Sequence, residues 1–411
     1  MGLDSLLDSS LQRLRARVAL PAWRALPVGR ALPAWMLLPL LAIPALWPLY
    51  REGLPRTIDG GLHLLRISLL DDYIRAGMFY PRWVSEMQLG HGYPLFSFYA
   101  PGFYYLTILL QRLGLSDYQA FIAASCLLVV LAGIGMERLA RDSFAGAPGQ
   151  RAGALLAAIA YMYAPFLFSN IYTSGALPAA AGQALLPWTL WSYRRLLYAK
   201  RPANYVLPGA LFLAAVAITH NLTLVFLAPV LLVYTLVCWR QAGAGWGRLL
   251  WLAATLGLAA GVSAFFWLPV LIEQRYLTET GRLISTTQWL PRNFWRWDNF
   301  LDLGFFYPYS YNRPVKLGLV QLGLAALGWL AAKRRDPEWM TLLGLAVGLS
   351  LFMGEWAMPI WLATPILALT QFPWRLLAIT SLLLALMAGG LLLHLRPTIL
   401  RTATLAVAAL T

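Results

Sequence analysis

The feature that most constrains this chain is a recurrence of apolar runs near the length a helix needs to cross a bilayer. They lie near 34–50, 118–137, 152–168, 177–193, 205–219, 222–239, 249–271, 317–332, 339–353, 374–394 and 402–411. Inside hydrocarbon no water reaches the peptide groups, so each run of about 20 residues must satisfy its own backbone as an α-helix. The pattern predicts an all-α polytopic integral membrane protein with about eleven crossings, the last incomplete at Thr411. Composition agrees, since the chain is 60% hydrophobic and 12% charged, against roughly 25% charged residues in soluble domains.

In a soluble protein a net charge of +15 would point to nucleic acid. Here the arginines and lysines stand in short clusters between apolar runs, so the charge reads as membrane topology and no nucleic-acid partner is expected. Residues 1–33 carry Arg13, Arg15, Arg17, Arg24 and Arg30 and form a basic segment expected in the cytoplasm. The run behind it is rich in proline and has no clear cleavage site, so a retained helix is expected rather than a removed signal peptide. Residues 34–411 then form the membrane domain. Cys126 and Cys238 lie apart in apolar runs without metal-ligand spacing, which argues against a disulfide framework or a structural zinc.

One apolar stretch, Tyr99 to Leu110, is short, contains Pro101 and Gly102, and is crowded with aromatics. Whether it crosses decides the side of everything after it. If it lies along the interface, the clusters Arg138/Arg141/Arg151, Arg194/Arg195/Lys200/Arg201, Arg240/Arg248, Lys333/Arg334/Arg335 and Arg396/Arg401 all face the cytoplasm. The short loops around 169–176, 219–221 and 354–371 then face outward and hold no Lys or Arg. An interfacial helix is therefore expected, with the N-terminus in the cytoplasm and two long outer loops, 51–117 and 272–316. The second loop sets Arg275, Arg282, Arg292, Arg296 and Arg313 among Trp289, Trp295, Trp297, Phe305, Phe306, Tyr307, Tyr309 and Tyr311. Ring faces stack on sugar C–H surfaces and guanidinium forks grip phosphate. An interfacial aromatic belt explains the same residues.

The first outer loop contains Thr57-Ile58-Asp59-Gly60-Gly61-Leu62-His63-Leu64-Leu65-Arg66, then Gly77-Met78-Phe79-Tyr80-Pro81-Arg82-Trp83 and Gly90-His91-Gly92-Tyr93-Pro94-Leu95-Phe96-Ser97-Phe98-Tyr99-Ala100-Pro101. Later come Thr219-His220-Asn221, Phe265-Phe266-Trp267-Leu268-Pro269 with Glu273, and Gln371-Phe372-Pro373-Trp374-Arg375. Together these resemble bacterial integral membrane proteins named as 6-pyruvoyl-tetrahydropterin synthase-related, a name that says little of their chemistry. The arrangement is also similar to the wider GT-C glycosyltransferases, which place an acidic residue after the first helix in a large first outer loop. That resemblance implies a fold of the GT-C type in a bacterial cytoplasmic membrane, with Asp59 as the catalytic acid of the loop. It also implies a polyprenyl-phosphate sugar donor and a glycan, lipid or protein acceptor on the outer side. Many GT-C enzymes carry a second acid in the next outer loop, but Ser169-Asn170-Ile171-Tyr172-Thr173-Ser174 offers none, so a divalent metal is left without support.

Each candidate has a plainer reading beside it. At about 100° per residue, Asp59, His63 and Arg66 share one face of a helix, whereas Ser68, Asp71, Asp72 and Arg75 form an opposite, solvated face. Asp59 is read as general base or cation ligand, or simply as a helix cap; His63 is read as catalytic and Arg66 as substrate-binding, or both as structural partners of Asp59. Glu273, at a membrane boundary, is a further catalytic candidate, and a helix-end ion pair with Arg275 or a neighbour is its alternative. Glu86 and His91 fall in loop sequence and remain weak candidates, while the Asn221 sequon at a membrane boundary carries no expectation. His220, Arg275, Trp374 and Arg375 are read as substrate-binding, with a hydrogen-bonded structural histidine as the alternative at His220. A cation at the outer start of the tenth helix opposes the helix dipole unless an anion compensates it, and a lipid phosphate is such an anion. Snorkelling to headgroups would serve Arg375 equally. No nucleotide loop, HExxH or GxSxG occurs. A carrier-lipid flippase or polysaccharide exporter, and a non-catalytic membrane assembly subunit, stand as alternatives to a transferase.

Overall fold

The computed structural model describes residues 33–53, 55–276, 285–300 and 316–394. Among these the chain is almost wholly helical. Its longer elements are α1 (Ala34–Arg51), α2 (Gly60–Arg75), α3 (Gly102–Arg112), α4 (Asp117–Ser143), α5 (Gln150–Met162), α6 (Leu177–Tyr198), α7 (Val206–Thr219), α8 (Asn221–Gln241), α9 (Gly247–Glu273), α10 (Leu319–Ala331), α11 (Pro337–Phe352) and α12 (Leu377–Gly389). Every apolar run from 34–50 to 374–394 coincides with one of these helices, and the run at 402–411 lies outside the described residues.

Among the described residues, six helical segments are long and apolar enough to cross a membrane: Asp117–Ser143, Gln150–Thr173, Pro202–Thr219, Asn221–Gln241, Gly247–Tyr276 and Pro373–Leu392. Shorter apolar helices cover Met36–Arg51, Leu319–Ala331 and Pro337–Phe352. The chain is an integral membrane protein. Prolines inside α1, at Pro39, Pro44 and Pro48, are of the kind tolerated in membrane helices, where neighbours re-satisfy the freed carbonyls.

Three of the longer helices, α4, α8 and α11, start on a side-chain cap. Ser116 and Gln119 form a reciprocal capping box at α4, and Asp336 accepts from Trp339 N at 3.2 Å to open α11. Packing centres on α12, whose thirteen residues are all buried. A helix apolar on every side belongs in such a position. Close approach of α12 to α5 depends on glycine: a Cβ on Gly389 would lie 2.5 Å from the Gly153 carbonyl oxygen. At the far end from the site described below, Arg194 of α6 pairs with Glu338 of α11 at 2.7 Å. Tyr234 and Ser143 both donate to the same carboxylate at 3.2 Å, so one buried acid joins α4, α6, α8 and α11.

The first long loop, 51–117, is folded. Its ambiguous stretch forms α3, whose 11 residues extend about 16 Å, roughly half of the hydrocarbon thickness. It is too short to cross as a single helix. One expectation fails here. Asp71 was placed on a solvated face, but it is 7% exposed and accepts from both Arg75 and Arg112, which ties α2 to α3. A helical wheel knows nothing of a second helix, and Arg112 covers that side; Ser68, Asp72 and Arg75 are exposed as expected. Of the second outer loop, Arg282, Phe305, Phe306, Tyr307, Tyr309, Tyr311 and Arg313 lie outside the described residues.

Candidate functional site

Two backbone segments meet at the start of α2. Ile58 N donates to Thr173 O at 3.2 Å and Asp59 N donates to Ser174 O at 2.8 Å, while Thr57 Oγ1 accepts from Gly60 N at 3.1 Å. Gly175, at φ +67°, makes this junction possible: a Cβ there would stand 2.7 Å from Gly60 N. The capping reading of Asp59 is thereby corrected. Asp59 occupies the N-cap position, but Thr57 satisfies the helix N–H, and the Asp59 carboxylate makes no capping bond. Among the described residues nothing donates a hydrogen bond to that carboxylate.

The carboxylate borders a cavity of about 640 Å³. Asp59, His63 and Arg66 line it from α2, because His63 N bonds to Asp59 O at 3.0 Å and carries the helical register back through Asp59. His220 reaches it from the α7–α8 corner, and Trp374 and Arg375 from the turn before α12. Asn170 and Ser174 face it from the α5–α6 connection. Trp289, Arg292 and Trp295 close the remaining side, so the described part of the loop 272–316 brings aromatics and a cation to the site.

The two inner arginines lack an acidic partner among the described residues. Arg66 stacks on the Tyr99 ring at 4.0 Å and donates to Tyr104 Oη at 3.4 Å, and its Nε is buried without a partner. Arg375 lies over the Phe372 ring at 4.7 Å and donates to the Thr370 carbonyl. Both are close enough to act on Asp59, yet burial outweighs them, and the Asp59 carboxyl is held above the usual carboxylate range. A carboxylate so placed is a better proton acceptor than an exposed one.

His63 is 2% exposed, and burial together with the Arg66 charge pulls its imidazole down to about 3, which keeps it neutral near pH 7. Tyr104 Oη accepts the Arg66 N–H at 3.4 Å and shares a hydrogen bond with His63 Nδ1 at 2.8 Å. In His220, Nδ1 accepts from Thr223 N at 3.2 Å, which leaves Nε2 as the N–H donor. With Arg66, Arg292 and Arg375 against the single Asp59 carboxylate, the described cavity wall favours an anion.

Glu273 and Arg275 are not brought to this cavity. Glu273 makes the helix-end ion pair of its alternative reading, with Arg82 of the first loop as the partner, while Arg275 donates to Tyr276 Oη at 3.0 Å. Glu86 accepts from Tyr73 Oη at 2.9 Å on the exposed surface, and His91 is exposed. Among the described residues no group of three or more His, Cys, Asp or Glu side chains could hold a metal ion. Sequence reasoning missed Tyr104 and Asn170 as members of the site. Tyr104 looked like one more interfacial ring, and Asn170 was read only as the absence of an acid.

No known protein family matches the chain, and no curated protein does. Among solved structures, the cryo-electron microscopy structure of the arabinofuranosyltransferase AftD from Mycobacteria is similar, with a TM-score of 0.49 and 16% identity over 93% of this chain and 26% of that one. The chain thus spans about a quarter of the length of that protein.

Proposed function

We propose that this membrane protein is a glycosyltransferase that moves a sugar from a polyprenyl-phosphate carrier to an acceptor at the outer face of the membrane. The observation that carries this reading is one cavity in which, among the described residues, the Asp59 carboxylate has no hydrogen-bond partner and two guanidiniums, Arg66 and Arg375, have no acidic partner, between aromatic walls. An acid that can take a proton, cations that can hold a leaving phosphate and rings that can stack on a sugar are the parts that such a transfer needs.

In this reading the acceptor hydroxyl gives its proton to Asp59 as its oxygen attacks the anomeric carbon. The bond from that carbon to the phosphate oxygen breaks, and the electron pair leaves with the carrier phosphate. Arg375, with Arg66 beside it, stabilises the added charge on that phosphate, and the Nε2–H of His220 serves as a neutral donor in the same cavity, beside the neutral imidazole of His63.

Sidedness follows from charge. The ends of α4, α6 and α8 that carry Arg141, Arg194/Arg195 and Arg240 are the ends away from His220, Asn170 and Asp59. By the preference of basic loops for the cytoplasm, the cavity opens outward. In a variant lacking Cys126 and Cys238, Ala199→Cys is expected to resist a membrane-impermeant thiol reagent in intact cells, and Gln288→Cys to react. Labelling at position 199 alone would place the cavity in the cytoplasm and end this assignment.

Arg375 tests the donor directly. Arg375→Lys keeps the charge and loses the planar fork, so affinity for a polyprenyl-phosphate sugar is expected to fall by about tenfold while the protein still folds. Arg375→Ala should weaken it further. Unchanged donor affinity in the alanine variant would remove the phosphate from Arg375 and leave it a packing residue over Phe372.

A further inference from the structure

Between α5 and α6 the chain makes a π-helical turn, Ser169–Thr173. Such turns shift side chains out of the α-helical register and are frequent at functional positions. This one delivers Asn170 to the cavity wall, four residues before the Ser174 carbonyl that holds the Asp59 backbone. Asn170 and Asp59 therefore belong to one hydrogen-bonded frame.

Asn170 is 2% exposed, and Gln183, on α6 behind it, is completely buried. Asn170 Nδ2 donates to Gln183 Oε1 at 3.3 Å, and Tyr161 Oη donates to the Gln183 carbonyl at 2.7 Å. Asn170 Nδ2 spends one of its two N–H groups on Gln183, and Oδ1 is left for the cavity, where no described residue bonds to it. Gln183 Nε2 and Ser169 Oγ are buried nearby without partners among the described residues. A set of buried amides closed for the sake of the fold would not leave so many groups idle.

Resting on the transferase reading above, we propose that Asn170, held in place by Gln183, reads a hydroxyl group of the transferred sugar. Oδ1 is an acceptor, which suits a hydroxyl and opposes a phosphate oxygen; the phosphate belongs with Arg66 and Arg375. A site built to accept a hydrogen bond from one hydroxyl discriminates against sugars that lack or misplace it.

The test uses the full chain in lipid nanodiscs with three probes: polyprenol, bare polyprenyl phosphate, and the tightest-binding member of a panel of polyprenyl-phosphate pentoses and hexoses. In Asn170→Leu, affinity for the sugar-bearing probe should drop about tenfold or more, toward that of the bare phosphate, while the bare phosphate binds as before. The double variant Asn170→Leu with Gln183→Met removes both amides together, so its ligand-free melting temperature should equal or exceed that of the wild type even though sugar affinity is lost. Unchanged affinity for the sugar-bearing probe in both variants overturns the proposal. So does a fall in melting temperature that takes both phosphate probes down in parallel. Wild-type protein that binds bare polyprenyl phosphate no better than polyprenol overturns the transferase reading itself, and this inference with it.

Discussion

Replacing Asp59 by asparagine is expected to lower sugar transfer by about 10²- to 10⁴-fold, the range a positioned general base contributes. The protein should remain folded and should still bind its donor. Several observations make this substitution informative. The side chain makes no capping bond, since Thr57 Oγ1 serves the helix N–H, so no helix-start energy is lost. The backbone bonds of Asp59 to Ser174 and of His63 to Asp59 do not involve the carboxylate and survive the change. Asparagine has nearly the same volume, so packing against the cavity wall is kept. The carboxyl is held above its usual range mainly by burial, so its charge is a cost to the fold rather than a support, and the variant should melt at or above the wild-type temperature. Intact melting and donor binding with lost transfer is the signature of a catalytic acid. Near-normal transfer at equal protein level in the membrane would reject that role.

The second large effect concerns stability and lies away from the cavity. Glu338 and Arg194 have side chains only 2% and 8% exposed, and removing one member of a buried ion pair costs about 3–5 kcal/mol because the other charge stays behind without a partner. Glu338→Ala strands Arg194 and also empties the bonds from Tyr234 and Ser143, so four helices lose their common acceptor. Arg194→Ala should cost a similar amount by leaving the carboxylate. The pair does not owe its place to stability alone: replacing both residues by leucine should recover most of the loss, since neither charge then remains to be desolvated. Thermal unfolding of the purified variants in detergent checks all three. A double variant as unstable as either single one would show that the bonds to Tyr234 and Ser143, rather than the ion pair, hold the helices together.

Helix positions were legible because each apolar run must bond its own backbone in lipid, and no other arrangement competes. The face shared by Asp59, His63 and Arg66 was legible for a related reason, since the register continues unbroken through Asp59 O. What the sequence did not disclose depends on a second element. Asp71 is polar and periodic with Asp72 and Arg75, but burial by Arg112 comes from α3. Glu273 stands at a membrane boundary, as a substrate-facing acid would, yet position along the membrane normal says nothing of position around the bundle, and Arg82 receives it outside the cavity. Asn170 escaped notice because an α-helical register assigns it no face, whereas the π turn does.

The most direct measurement reconstitutes the wild-type chain in proteoliposomes with polyprenyl-phosphate sugars labelled in the sugar, and follows the label in the presence of candidate acceptors. The account predicts label covalently attached to an acceptor, with free carrier phosphate released in equal amount and both signals lost in Asp59→Asn. Donor that crosses or binds the bilayer with its sugar still attached, for every sugar and acceptor supplied and equally in both proteins, would contradict it and point instead to a carrier-lipid transporter or an assembly subunit.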